Sequence, residues 1–144
     1  MVTLLIAITL HQYVAAIQSE VADDSCPFCG FKKSDILDSE KLAVTVIDTH
    51  PVTPLHSLII PKRHIESYFD LDKPEVNTCN QLLQRQKDII LKEDPSVTGF
   101  NIGINDGDTA GQTVMHCHIH LIPRRKGDMD DPRGGVRGVI PDGK

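Results

Sequence analysis

Hydrophobic residues recur along this chain with two periods, and each change of period marks a boundary between elements. Leu42 to Asp48 (Leu-Ala-Val-Thr-Val-Ile-Asp) and Ser57 to Ile60 are short β-branched or apolar runs closed by Pro51, Pro54 and Pro61. They predict two strands joined by a tight connection and paired as a hairpin. Asp72-Lys73-Pro74-Glu75 places an N-cap residue, a first-turn proline and an acid three positions after the cap, which predicts a helix start. Val76, Cys79, Leu82, Leu83, Gln86, Ile89 and Ile90 then return every three or four positions down to about Leu91, and Pro95 ends the element. One apolar stripe of this kind is expected to cover one face of a sheet. Gly99 to Ile104 alternates like a strand, Asn105 to Gly111 is rich in turn formers, and Thr113 to Pro123 alternates again.

These elements predict an α+β fold, an antiparallel β-meander with one long helix and a short helix. The expected organisation is an N-terminal extension over 1–25, a single domain over 26–126, and a polar Gly/Pro-rich tail over 127–144, where regular structure is not expected. A chain of 144 residues is long enough to bury one core without disulfides. Its four cysteines, Cys26, Cys29, Cys79 and Cys117, are few for a secreted scaffold, and the Cys26–Cys29 pair favours metal or redox chemistry over bridging. The thiols are read as reduced and the protein as cytoplasmic. A formal charge of −5 with no long basic run argues against DNA or RNA polymers as partners. Val2 to Leu10 is apolar, but His11, Gln12 and Gln18 interrupt it before the ~20 residues a membrane span needs. The first basic residue is Lys32, which argues against a signal peptide, so an extra helix or strand packed on the domain or on a second subunit is expected.

The candidate chemistry lies in the last alternating run, where His116, His118 and His120 occupy every second position. A strand would aim these three imidazoles one way and Cys117, Ile119 and Leu121 the other, towards the core. Core strands seldom carry three titratable rings side by side, because each buried nitrogen needs a partner. Either the rings do chemistry themselves or all three hold a metal ion. His11 and His50 read as ordinary structural histidines.

Gly111-Gln112-Thr113-Val114-Met115-His116-Cys117-His118-Ile119-His120-Leu121-Ile122 resembles the signature of the histidine-triad (HIT) superfamily of nucleotide hydrolases and transferases. The resemblance extends through Pro51 to His64, with its Pro61-Lys62-Arg63-His64 turn, and through Asp131 to Arg137, which is similar to the tail of bacterial members grouped with diadenosine polyphosphate hydrolases. It implies cleavage at the α-phosphorus of a nucleotide derivative, a dinucleoside polyphosphate or a nucleoside phosphoramidate, through a covalent nucleotidyl-histidine. By that pattern His118 is the nucleophile, its other ring nitrogen held by a backbone carbonyl. His120 contacts the leaving or non-bridging oxygens, and His56 and His116 support the site. Imidazole, with an ordinary pKa near 6.5, can attack phosphorus at neutral pH without a separate base. Asn105, Gly111, Gln112 and Thr113 match positions lining the phosphate pocket, and backbone N–H groups, an amide and a hydroxyl suit phosphate oxygens. A homodimer is implied as well. Two alternatives stay open: a metal-dependent hydrolase using the histidine cluster, and a nucleotide-binding protein without turnover.

Cys26-Pro27-Phe28-Cys29 has the gap that lets two thiolates grip one ion, but alone it does not separate zinc from a redox pair. The family resemblance completes the site with His64 and His116, implying a structural Zn²⁺ on Cys26, Cys29, His64 and His116. Two thiolates would cancel the ion's charge, so it would hold the fold rather than act on His118. Cys79 and Cys117 read as core thiols. Arg124, Arg125 and Lys126 can steer an anion, though Asp128, Asp130 and Asp131 offset them, and Arg133 and Arg137 of the tail can reach a neighbouring subunit's site.

Overall fold

Period-two patterning becomes a five-stranded antiparallel sheet in the computed structural model, which describes residues 25–140. Among these residues the strands are β1 (Ile36–Ser39), β2 (Ala43–Ile47), β3 (Ser57–Pro61), β4 (Val97–Gly103) and β5 (Ile119–Arg125), with one helix, α1 (Lys73–Glu93). Single 3-10 turns at Lys33–Asp35, Tyr68–Asp70, Asp108–Ala110 and Gly135–Val139 take the place of the expected short helix. The order is β1-β2-β3-β5-β4, so β1 to β3 form a meander and β5 then enters between β3 and β4. The α+β expectation holds, with this insertion as its refinement. The expected N-terminal element over 1–25 lies outside the described residues except for its last position.

The β2–β3 hairpin runs in register from Ala43↔Pro61 to Ile47↔Ser57. Its alternation sorts two cores. Ala43 and Ile59, with Ile119 and Leu121 of β5, face α1 and pack with Cys79, Leu82, Ile90 and Val97. Val44, Val46, Leu58 and Ile60 form the opposite face and are covered by Phe28, Phe31 and Ile36. Each large aliphatic side chain removed from water contributes about 1.5–3 kcal/mol.

Helix α1 begins where the sequence says, with Pro in its first turn and a capping box in which Glu75 returns to the Asp72 backbone N–H. Glu75 is buried at this start and accepts a two-pronged contact from Arg63, at 2.9 Å from Nε and 2.7 Å from Nη2. The buried line is Glu75, Cys79, Leu82, Gln86 and Ile90, while Ile89, expected in the stripe, is exposed. A polar residue fits that line because Gln86 Nε2 donates to Ser57 Oγ at 3.0 Å. Among the described residues no helix is long and apolar enough to cross a membrane.

Candidate active site and metal centre

The sheet face bearing Val44, Val46, Leu58 and Ile60 is continued at its end by Asp48, His56 and His120. The Asp48 N–H donates to the His56 carbonyl at 3.0 Å, carrying the β2–β3 ladder one step further, and His120 pairs with Leu58 across β3 and β5. His56 and His120 are thus near-diagonal neighbours across two strands, and His56 Nε2 lies 3.0 Å from His120 Nδ1. The Val52 N–H donates to His56 Nδ1 at 3.3 Å, so the proton of a neutral His56 sits on Nε2 and is donated to His120. The proton of a neutral His120 is thereby left on Nε2. Burial lowers the His56 pKa, opposed by Asp48. Burial, reinforced by His118 and His56, lowers His120 to about 4 against the opposing pull of Asp48.

His118 is arranged the other way round. Its Nδ1 donates to the His116 carbonyl at 2.8 Å, which leaves Nε2 as the lone-pair nitrogen. The ring is 6% exposed, meets the edge of Phe28 at a centroid distance of 5.2 Å and lies 5.0 Å from His120.

The expectation that one strand aims all three rings the same way is corrected. β5 begins at Ile119, so of the three only His120 is a strand residue. His116 and His118 lie in an irregular approach, where the Cys117 N–H bonds to Ile65 O and the His116 N–H to Val114 O. The alternation does hold for Cys117, Ile119 and Leu121, which are buried. Pro123 is tolerated in this inner strand because β3 pairing ends at Leu121, and the Pro123 carbonyl instead accepts from Thr53 Oγ1 at 2.8 Å.

His116 faces away from the other two rings. Wholly buried, it has Nε2 2.8 Å from the Pro61 carbonyl, which places the proton there and leaves Nδ1 as a ligand atom. That Nδ1 is 3.4 Å from Cys26 Sγ and 3.6 Å from Cys29 Sγ, and His64 Nδ1 is 3.2 Å from Cys29 Sγ. The four ligand atoms lie within 4.8 Å of one another. A tetrahedral ion with ordinary Zn–S and Zn–N bonds separates S from N by about 3.6 Å, so these residues fit a metal without rearrangement. The three imidazoles therefore do not converge on one ion.

The loop before the triplet is built by its glycines and by Gln112. Gly107 and Gly111 have φ of 88° and 85°, a region where a side chain is strained. The Gln112 amide donates to Glu66 O at 2.9 Å and Val114 O at 3.1 Å, while its oxygen accepts from the Gly107 N–H at 2.7 Å. Its side chain thus shapes the loop. Asn105 Nδ2 reaches Gly111 O at 3.4 Å, and Thr113 is exposed. The basic run is offset by neighbouring acids: Arg124 is paired with Asp128 and Asn101, and Arg125 with Asp94.

Two features escaped sequence reading. Asp48 places Oδ2 3.5 Å from His56 Nδ1 and 3.8 Å from His120 Nδ1. Its signal was the hairpin register, which sets position 48 opposite 56. The second is a cavity of about 590 Å³ beside His56 and His120, walled by Val52, Ile102, Ile122 and, from the tail, Val136. A tail without regular pattern gave no sign of it.

The HIT domain family model matches residues 31–127. A bis(5'-nucleosyl)-tetraphosphatase [asymmetrical] of Schizosaccharomyces pombe is 36% identical over 98 residues, covering 68% of this chain and 53% of that protein. A bis(5'-adenosyl)-triphosphatase of Dictyostelium discoideum is 36% identical over 100 residues, covering 69% and 66%. The chain thus spans between about half and two thirds of the length of these curated relatives. Among solved structures, a Zn-bound histidine triad family protein from Mycobacterium smegmatis superposes with a TM-score of 0.65 at 34% identity, over 72% of this chain and 78% of that one.

Proposed function

Since the chain belongs to the HIT domain family, we propose that it is a nucleotide hydrolase or nucleotidyl transferase acting at the α-phosphorus of a purine nucleotide derivative, through a covalent nucleotidyl-histidine on His118. One observation carries this reading: the Nδ1–H of His118 is tied to the His116 carbonyl at 2.8 Å, so the free lone pair lies on Nε2. In the first step Nε2 forms the N–P bond while the bond from phosphorus to the leaving group breaks. His120, whose Nε2 carries a proton, supplies it to a leaving amine or stabilises a leaving phosphate oxygen. Water then attacks phosphorus, the N–P bond breaks and a nucleoside monophosphate leaves.

Asn105 and the exposed Thr113 receive the phosphate oxygens, on a loop held in shape by Gly111 and Gln112, whose own N–H groups donate to Asp108 O and Gly107 O. The cavity beside His56 and His120 has room for a nucleoside. Dinucleoside polyphosphates, the substrates named for the two curated relatives, are favoured by that likeness. Cys26, Cys29, His64 and His116 hold a structural Zn²⁺, supported by the spacing of their ligand atoms and by the Zn-bound relative. An assembly of two copies extends the reading, as does a reducing, cytoplasmic setting for the thiolates.

Mass spectrometry of the intact protein mixed with dinucleoside polyphosphates and nucleoside phosphoramidates tests the proposal. A transient gain of one nucleotidyl group (a nucleoside monophosphate less water) on the wild type, absent from His118→Ala, is expected. Turnover that survives in His118→Ala ends the assignment.

A further inference from the structure

The second histidine cluster offers an ion something that catalysis through His118 does not require. Asp48 Oδ1 accepts the His50 N–H at 2.8 Å, while Oδ2 faces only imidazoles, with no Lys or Arg paired to it among the described residues. Oδ2 is 3.5 Å from His56 Nδ1 and 3.8 Å from His120 Nδ1, and the two rings approach to 3.0 Å. With one ligand atom taken from each residue, the set lies within 4.8 Å. Ligand atoms about an ion with bonds near 2.0–2.1 Å sit roughly 3.3–3.5 Å apart, so small ring movements suffice.

We infer that Asp48, His56 and His120 form a second metal site, of the two-histidine, one-carboxylate kind, that takes a divalent transition-metal ion and is open towards the cavity. Two nitrogen donors select Zn²⁺, Co²⁺ or Ni²⁺ over Mg²⁺ and Ca²⁺, which prefer oxygen. The site differs in kind from the thiolate centre. That centre has four protein ligands and closes around its ion, whereas this one has three and leaves a position for water or a phosphate oxygen, because His56 and His120 line the cavity. Binding through Nδ1 of both rings leaves their protons on Nε2, displaces the Val52 N–H from His56 Nδ1 and replaces the N–H···N bond between the rings with two bonds to metal. The ring of His120 is then held by the ion rather than by His56. Zn²⁺ in this site would accordingly inhibit turnover, a consequence that rests on the proposed role of His120; the binding itself does not.

Cobalt titration of the full chain, followed by calorimetry and absorption, tests the binding independently of any activity. The wild type is expected to take two equivalents: the first with a thiolate-to-cobalt charge-transfer band, the second weaker and without it. Asp48→Asn and His56→Gln should each lose the second equivalent and keep the first, whose band also reports that the variant is folded. A wild type that binds one equivalent only, or a second equivalent that survives in either variant, overturns the site.

Discussion

His118 and His120 are two positions apart, yet their hydrogen bonds fix opposite tautomers. One gives its Nδ1 proton to a carbonyl, and the other accepts at Nδ1 from a neighbouring ring. In the proposed mechanism that difference separates a nucleophile from a proton donor, and it predicts different kinetics. His118→Ala should lower kcat by at least ~10³-fold for every substrate. His120→Asn should cost ~10²–10⁴-fold with an amine leaving group, which needs a proton, and markedly less with a phosphate leaving group. Steady-state rates for a phosphoramidate and a dinucleoside polyphosphate on the two variants check this, and equal losses for both substrates in His120→Asn would refute the donor role. The sequence made the three histidines conspicuous, but their division of labour was not legible from spacing. It depends on where β5 begins and on a carbonyl, a thiolate pair and His56, all supplied by the fold.

At the scale of elements, what could be read was whatever local chemistry determines. The start of α1 followed from Asp72, Pro74 and Glu75 because a cap is satisfied within four residues. β1 was missed because Ile36-Leu37-Asp38-Ser39 is short, only half-buried and joined to β2 through a register shift. Ile89 was misplaced because the helix turns its buried line through Gln86 and Ile90, and Gln86 could be accepted there only with Ser57 as partner. Glu75 links the helix to the turn leading to His64, since it caps α1 and accepts both prongs of Arg63. The Arg63 contact holds its carboxyl below the ordinary range, against burial. Glu75→Ala would strand the guanidinium and uncap the helix, for a loss of about 3 kcal/mol. Glu75→Gln, which keeps some hydrogen bonds, should lose less. Urea unfolding of both variants decides, and equal stabilities would contradict the double role. In the loop, Gly111→Ala meets a φ of 85° and should cost about 1–2 kcal/mol, with weaker phosphate binding.

For the molecule as a whole, stability is tied to the protonation of the site. His120 has a folded pKa of about 4 against an ordinary 6.5, and His56 is shifted the same way. Between those values the unfolded chain binds the proton and the folded chain does not, so unfolding stability rises with pH across this interval. The contribution is fully present above about 6.5 and is lost as pH falls towards 4. At ~1.36 kcal/mol per pH unit, His120 accounts for about 3 kcal/mol over the full interval. The groups that face it, His118 and His56, oppose its charge, while Asp48 favours it. Zinc at the proposed Cys26, Cys29, His64 and His116 site would add to the same trend, because these thiols and imidazoles must shed protons to bind it; chelation at pH 7.5 should therefore lower Tm. The two effects separate experimentally. In zinc-free protein, urea unfolding from pH 7.5 to pH 5 should still show stability falling with acid, by about 2 kcal/mol, and His120→Asn should flatten that slope by removing the ring whose proton the fold excludes. A slope unchanged in His120→Asn would mean that this ring is solvated in the folded chain. The packing of His120 against His56 and His118 would then be too loose to fix the tautomer on which its proposed proton transfer depends.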